Sequence, residues 1–218
     1  MIERYTRPEM GHLWSIQNEW QTILNVEIAA CEAMAELGEI PAAAVENIKK
    51  NAKFDVARIN EIEKVTDHDI IAFLTNLEEN VGEDSKYIHK GLTSSDVKDT
   101  AYCIMMRDAA AIILDDLRAF RTVLRRRADE FRHTPCIGRT HGIHAEPMTF
   151  GLKMLLWSAE IERDIERLTR AQETVSVGKL SGAVGTYSNI DPRIEELTCK
   201  RLGLTPVRLA TQVIQRDR

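Results

Sequence analysis

Paired cysteines, long apolar runs, nucleotide-binding glycine motifs and a strong charge of either sign are all missing from this chain, and each absence removes a class of function. The four cysteines, Cys31, Cys103, Cys136 and Cys199, stand far apart with no C-x-x-C spacing, which argues against both a zinc knuckle and a disulfide framework. Reduced thiols in a cytoplasmic setting are the simplest account. No stretch approaches the roughly 18 uninterrupted apolar residues of a membrane span, and Met1-Ile2-Glu3-Arg4-Tyr5 lacks the apolar core of a signal peptide. A net charge of -5 over 218 residues gives no electrostatic reason to expect nucleic acid or an anionic membrane as partner. Gly178-Lys179-Leu180-Ser181-Gly182-Ala183-Val184-Gly185 fits neither G-x-x-x-x-G-K-[ST] nor G-x-G-x-x-G, so a nucleoside triphosphate site is not expected. With 44% apolar and 29% charged residues, what remains is a globular chain able to bury a core.

What is present is helical periodicity. From Pro8 to Leu37 apolar residues recur at helical spacing (Leu13, Ile16, Trp20, Ile23, Leu24, Val26, Ile28, Cys31, Met34, Leu37), and Gly38 with Pro41 supplies a stop. Shorter helices are predicted over 41–52, 55–65 and 69–80, which makes residues 1–92 a small N-terminal helical domain. Residues 93–218 read as the first part of a central helical-bundle domain. Thr93-Ser94-Ser95-Asp96 offers hydroxyl N-caps and a near capping box, with Asp where Glu or Gln is preferred. It opens a pattern free of Gly and Pro as far as Thr134, with Val97, Ala101, Ile104, Met105, Ile112, Ile113, Leu117, Phe120, Leu124, Ala128 and Phe131 on one stripe. A second long helix is expected from Pro147, a favourable first-turn residue, to about Val175, burying Leu152, Leu155, Leu156, Ala159, Ile161, Ile165 and Leu168. Residues 177–189 read as an irregular loop or small hairpin, 192–202 as a short helix, and 211–218 as the first turns of another. A helix from Asp96 to Arg132 is about 55 Å long, too long for one small domain to cover its stripe. A homo-oligomeric helical bundle is therefore expected.

The connection from Thr134 to Pro147 is longer than a helix reversal needs and carries Thr140-His141-Gly142-Ile143-His144-Ala145-Glu146. It reads as a segment that presents side chains. Imidazole has an ordinary pKa of about 6.5 and so donates or accepts a proton near neutrality, which makes His141 the best general-acid candidate. The plain alternative is a loop histidine bonded to backbone carbonyls, and His144 reads as structural or supporting. His133, His141, His144 and Glu146 lack the spacing of H-E-x-x-H, so no metal is expected. Asp67-His68-Asp69 sets two carboxylates around one imidazole, suited to anion contact or orientation; the plain alternative is an N-cap by Asp67 with an exposed histidine. His89 is a weaker candidate. The hydroxyls and free N–H groups of Thr93, Ser94 and Ser95 suit a substrate carboxylate or simply cap the helix. Arg4 with Tyr5 suits a phosphate or is a solvated end. Ser94 and His141 stand at opposite ends of one long helix, so a site using both is expected to be shared between antiparallel subunits.

Ile2-Glu3-Arg4-Tyr5, His68-Asp69, Gly91-Leu92-Thr93-Ser94-Ser95-Asp96, Gly138-Arg139-Thr140-His141-Gly142-Ile143-His144-Ala145-Glu146-Pro147, Ser181-Gly182-Ala183-Val184-Gly185, and Thr211-Gln212 with Gln215-Arg216-Asp217-Arg218, in this order and spacing, resemble the adenylosuccinate lyase family of the fumarase/aspartase superfamily. The resemblance implies an all-α fold, a long-helix bundle of the fumarase/aspartase type with a small N-terminal helical domain. It implies a homotetramer whose sites are assembled from several subunits and need no cofactor. The implied reaction eliminates fumarate from adenylosuccinate to give AMP, and from the succinylated aminoimidazole carboxamide ribotide on the way to IMP, in purine nucleotide biosynthesis. By the same resemblance His141 is the general acid, and His68 with Asp69 orients it or contacts the base and ribose. Thr93, Ser94, Thr140 and Gln212 hold the succinyl part, Arg4 and Tyr5 the phosphate, and Asp67 and His89 are counted among the substrate-binding residues. Many members carry Arg where this chain has Asp67. The family's Ser-Ser-x-Met-Pro-x-Lys-x-Asn loop, bearing its serine base, does not occur in these 218 residues. The chain is thus expected to be an amino-terminal portion, truncated before the third long bundle helix and inactive alone. The competing expectations are a non-catalytic helical assembly fragment and another superfamily lyase such as argininosuccinate lyase.

Overall fold

The structure, a computed structural model, describes residues 2–218; Met1 and the side chain of Glu3, both in the amino-terminal stretch quoted above, lie outside what is described. After a 3₁₀ turn at Glu3–Tyr5 the elements are α1 (Pro8–Leu13), α2 (Ile16–Glu36), α3 (Ala42–Asn51), α4 (Val56–Thr66), α5 (Asp69–Val81), a second 3₁₀ segment (Gly82–Tyr87), α6 (Ser94–Glu130), β1 (Pro135–Thr140), β2 (Ile143–Thr149), α7 (Phe150–Val175), β3 (Val177–Gly178), α8 (Pro192–Leu202) and β4 (Thr205–Pro206). The periodic stretch expected as one helix from Pro8 is two. Ser15 adopts extended backbone and its hydroxyl accepts the Asn18 N–H, so α2 starts from its own N-cap while the apolar spacing continues across the break.

Packing groups the chain into two compact units, Met1–Asp108 with Thr174–Arg218, and Ala109–Glu173. This differs from a division at residue 92, because α8 returns against α2 and the segment after α7 returns to the start of α6. The first unit buries Trp20, Ile23, Met34, Phe73, Leu77, Val97 and Ala101 together with Leu180, Ile194 and Leu204 from the returning segment. Trp20 stacks on Phe73 with ring centres 4.9 Å apart and Phe54 meets Phe73 edge-on at 6.0 Å, arrangements that add to the burial itself. The turn into α6 needs Gly91: its φ is +75°, and a Cβ there would stand 2.2 Å from the Asn189 carbonyl oxygen. Gly91→Ala should therefore cost about 2 kcal/mol or more of stability, read as a lowered urea midpoint; an unchanged midpoint would show that the 91 and 189 backbones separate freely.

The second unit holds the rest of α6, the β1–β2 hairpin and most of α7. Phe131 meets Phe150 edge-on at 5.3 Å, and Gly151 lets α7 approach α6 so closely that a Cβ would lie 2.4 Å from the Ala128 carbonyl oxygen. Arg121 and Arg125 both reach Glu162 at 3.3 Å. The apolar set expected to be buried on α7 is not: Leu152, Leu155 and Leu156 keep half or more of their surface, and only Gly151 and Ser158 of this helix are buried. In this unit α7 has a single helical neighbour, narrower than its apolar face. On α6, Ile113 and Phe120 are exposed, whereas Leu114, Leu124 and Ala128 are buried.

Several local expectations change. The connection from Thr134 to Pro147 is an antiparallel hairpin with Thr140 opposite Ile143 and a bulge between Ile137 and Arg139. Pro147 sits in β2 opposite Ile137 instead of opening the helix, a position available to proline in a two-stranded ribbon whose strands are both edges; α7 starts at Phe150, with the Thr149 hydroxyl accepting the Leu152 N–H. Residues 177–189 take the irregular-loop alternative rather than the hairpin, with 177–178 pairing in parallel with 205–206, and 211–218 form bends and a turn instead of a helix. The helical class otherwise stands as periodicity indicated.

Candidate active site

The start of α6 is held by a buried ion pair. The Asp96 carboxylate accepts from Lys179 Nζ at 2.6 Å and from the backbone N–H groups of Thr93, Ser181 and Gly182 at 2.9, 3.2 and 3.1 Å. Lys179 Nζ also donates to the Gly182 carbonyl at 2.8 Å, and both charged side chains have no exposed surface. The Asp96–Thr93 bond is the carboxylate half of the capping box expected from the sequence. Its larger effect is to fasten the Ser181-Gly182 turn beneath Thr93 and Ser94, so that their position is set from two directions. Nearby, Glu195 accepts from the Leu180 N–H and the Tyr187 hydroxyl. Burial raises the Glu195 carboxyl above its ordinary pKa despite both bonds.

Asp67-His68-Asp69 forms the joint between α4 and α5. Asp67 takes left-handed backbone (φ 49°) and C-caps α4 through its N–H to the Glu63 carbonyl, so the alternative of an Asp67 N-cap does not hold. His68 is the N-cap of α5: its Nδ1 accepts the Ile71 N–H at 3.4 Å and lies 3.5 Å from Asp69 Oδ1. Asp69 is bonded to Lys98 of α6 and to the Ile70 N–H. Burial pushes the Asp69 carboxyl up, but the Lys98 and Ile70 bonds outweigh it and leave its pKa below the ordinary carboxylate value. The pair thereby ties the His68 joint to α6 one turn beyond Ser94.

His89 also has left-handed backbone (φ 62°), and Glu27 of α2 takes both its backbone N–H (3.0 Å) and its ring Nδ1 (2.6 Å). At the amino terminus the Arg4 guanidinium lies over the Tyr5 ring, 4.8 Å from its centre, and Tyr5 is exposed. Gln212 is exposed in the terminal segment, which Asp99 anchors by accepting from the Ile214 N–H and from the Arg216 guanidinium. Thr140 and His141 belong to the second unit. Both are exposed, Thr140 as the last residue of β1 and His141 with Gly142 as the hairpin's two-residue loop. The φ values of His141 and Gly142 are 51° and 75°, both positive as a type I′ turn requires. His144 lies beside Arg139, with 3.3 Å between the ring and the guanidinium.

Residues 3–218 match the family model described as Lyase. The chain belongs to the lyase family. Over all 218 residues it is 54% identical to the adenylosuccinate lyase of Synechocystis sp. and 51% identical to that of Bacillus subtilis, and it covers 51% of each. The chain thus spans about half the length of the curated relatives it matches. Among solved structures, it resembles the fumarate lyase from Mesorhizobium sp. BNC1 with a TM-score of 0.89 at 29% identity, over 94% of this chain and 50% of that one. The beta-carboxy-cis,cis-muconate cycloisomerase from Acinetobacter calcoaceticus sp. ADP1 matches with a TM-score of 0.87 at 26% identity, again over 94% and 50%. These likenesses place the chain in the long-helix fold class of the fumarase/aspartase type.

Within this family member, the supports of the candidate residues are what sequence reasoning missed. Lys179 drew notice only as part of a glycine segment that fails the phosphate-loop pattern, and Asp96 only as a cap. A lysine between Val177-Gly178 and Leu180 was the available signal, since a cation in an apolar stretch needs a partner when buried. Glu27, inside an otherwise apolar helix face, carried the same signal. Lys98 carried none, because a lysine one turn into a long helix is ordinarily solvated.

Proposed function

We propose that this chain carries the amino-terminal part of an adenylosuccinate lyase, acting in purine nucleotide biosynthesis on succinylated purine nucleotides and releasing fumarate. The reading rests on the relatives of that name and, in the chain itself, on His141. A histidine stands at the first loop position of a type I′ turn, where asparagine folds more readily, and among the described residues its exposed ring makes no bond that would explain its presence. Left-handed backbone held under an exposed titratable side chain points to a role in chemistry. In the elimination, a base takes a proton beside a carboxylate, charge builds on that carboxylate, and an acid protonates the departing nitrogen. We assign the acid to His141, with His68 and Asp69 orienting it or contacting the base and ribose and Asp67 among the substrate-binding residues. Thr93, Ser94, Thr140 and Gln212 are assigned to the succinyl carboxylates, His89 and Arg4 with Tyr5 to the remaining anionic parts of the nucleotide. We place these groups in sites shared between subunits of a cytoplasmic homotetramer.

Fumarate release, followed by ultraviolet absorbance, tests the reading. Because no Ser-Ser-x-Met-Pro-x-Lys-x-Asn segment occurs in these 218 residues, turnover of adenylosuccinate is expected only from a chain lengthened to the extent of its relatives. Absence of turnover from that longer chain would favour the second reading, a helical assembly piece without chemistry, which draws on the exposed apolar faces of α6 and α7. Competition by AMP separates the purine assignment from argininosuccinate lyase.

A further inference from the structure

Glu27 is almost wholly enclosed, with 1% of its side chain exposed, while the His89 ring it binds keeps 15%. A buried carboxylate requires donors, and the cheapest arrangement would give it backbone N–H groups alone. Here one oxygen takes the His89 N–H and the other takes ring Nδ1 at 2.6 Å. That geometry places a proton on Nδ1, since a carboxylate oxygen only accepts, and Nε2 carries a second proton when the ring is charged. Among the described residues Nε2 has no hydrogen-bond partner. The backbone pays attention to the same end: φ at His89 is 62°, and its carbonyl accepts the Leu92 N–H in the turn that leads to Thr93.

We propose that Glu27 is a positioning residue, holding His89 as an imidazolium whose Nδ1–H is used inside the fold and whose Nε2–H is left for an anionic group of the substrate. The inference rests on the assignment of His89 to the substrate. The charges around the ring agree with it. Burial alone lowers the imidazole pKa, but the hydrogen bond and charge of Glu27, with a smaller contribution from Asp96 of α6, outweigh it and leave the ring above its ordinary 6.5. Asp96 is itself paired with Lys179, Lys90 beside the ring turns to Glu39, and burial raises the Cys31 thiol on α2, so that it stays neutral. The stabilisation from this pair is thus complete below about pH 6.5 and is lost as pH rises through the higher folded-state value.

Ring-nitrogen NMR of His89 in the 218-residue chain, with and without Glu27→Gln, tests the proposal without substrate, so its result is independent of the reaction assigned above. The glutamine keeps an oxygen for the His89 N–H but turns an amide donor toward Nδ1. The neutral ring should then carry its proton on Nε2, and the titration midpoint should fall by at least about one pH unit. If tautomer and midpoint match the wild type, Glu27 merely supports the loop and the proposal fails. Should the variant not fold, the wild type decides alone: a neutral ring with bare Nε2 at neutral pH overturns it. In separate arms, inorganic phosphate and fumarate are added to the wild type. A shift of the Nε2 resonance with either supports the anion role and says which anion is taken, and a shift with neither overturns it.

Discussion

Lys179→Met is expected to cost about 3–5 kcal/mol, a large part of the stability of an ordinary domain. The Asp96 carboxylate would stay fully buried with its three backbone N–H donors but without the cation, and the Gly182 carbonyl would lose its Nζ donor. Methionine matches the lysine stem in length, so the loss isolates charge from volume. Asp96→Asn leaves the ammonium buried and should be costly too. The double variant should cost distinctly less than the two single losses added, because the second change removes a charge that the first left unpaired. Urea unfolding of the four proteins measures the cycle. A Lys179→Met cost under about 1 kcal/mol would mean that water reaches the site and that the pair does not clamp the start of α6.

That clamp marks where the sequence stopped being legible. Helix faces follow from 3.6-residue spacing, so Val97, Ala101, Ile104 and Met105 could be named as buried in advance, and they are. Periodicity says nothing of which chain supplies the cover, and Leu152, Leu155 and Leu156, apolar and correctly spaced, are exposed. The hairpin was hidden because Pro135, Gly138, Gly142 and Pro147 read equally well as loop punctuation, while strand pairing with a bulge is a property of two segments at once. Of the candidate site, the hydroxyls and imidazoles were visible as residue types in local motifs. Their partners were not: Glu27 lies 62 residues from His89, and Asp96 83 residues from Lys179. Long-range pairing of buried charges leaves only a weak trace in one sequence, an ionisable residue on a face that should be apolar.

His141→Asn should separate folding from chemistry most sharply. With φ of 51° at His141 and 75° at Gly142, the substitution creates the Asn-Gly pair that type I′ turns prefer, and the exposed ring makes no hydrogen bond among the described residues that it would give up. The hairpin should therefore keep its register, and the denaturation midpoint should be unchanged or slightly raised. Asparagine cannot deliver a proton near neutrality. In a chain lengthened to the extent of its relatives, kcat/KM for adenylosuccinate should fall by about 10²–10⁴-fold, the usual contribution of a positioned acid. Fumarate release and urea unfolding on the same preparations give both numbers. Retained turnover with an intact fold would take the acid role away from the hairpin tip and leave His68 as the imidazole to test next. Lost stability, by contrast, would mean that the histidine ring supports the turn through contacts that the single chain does not contain.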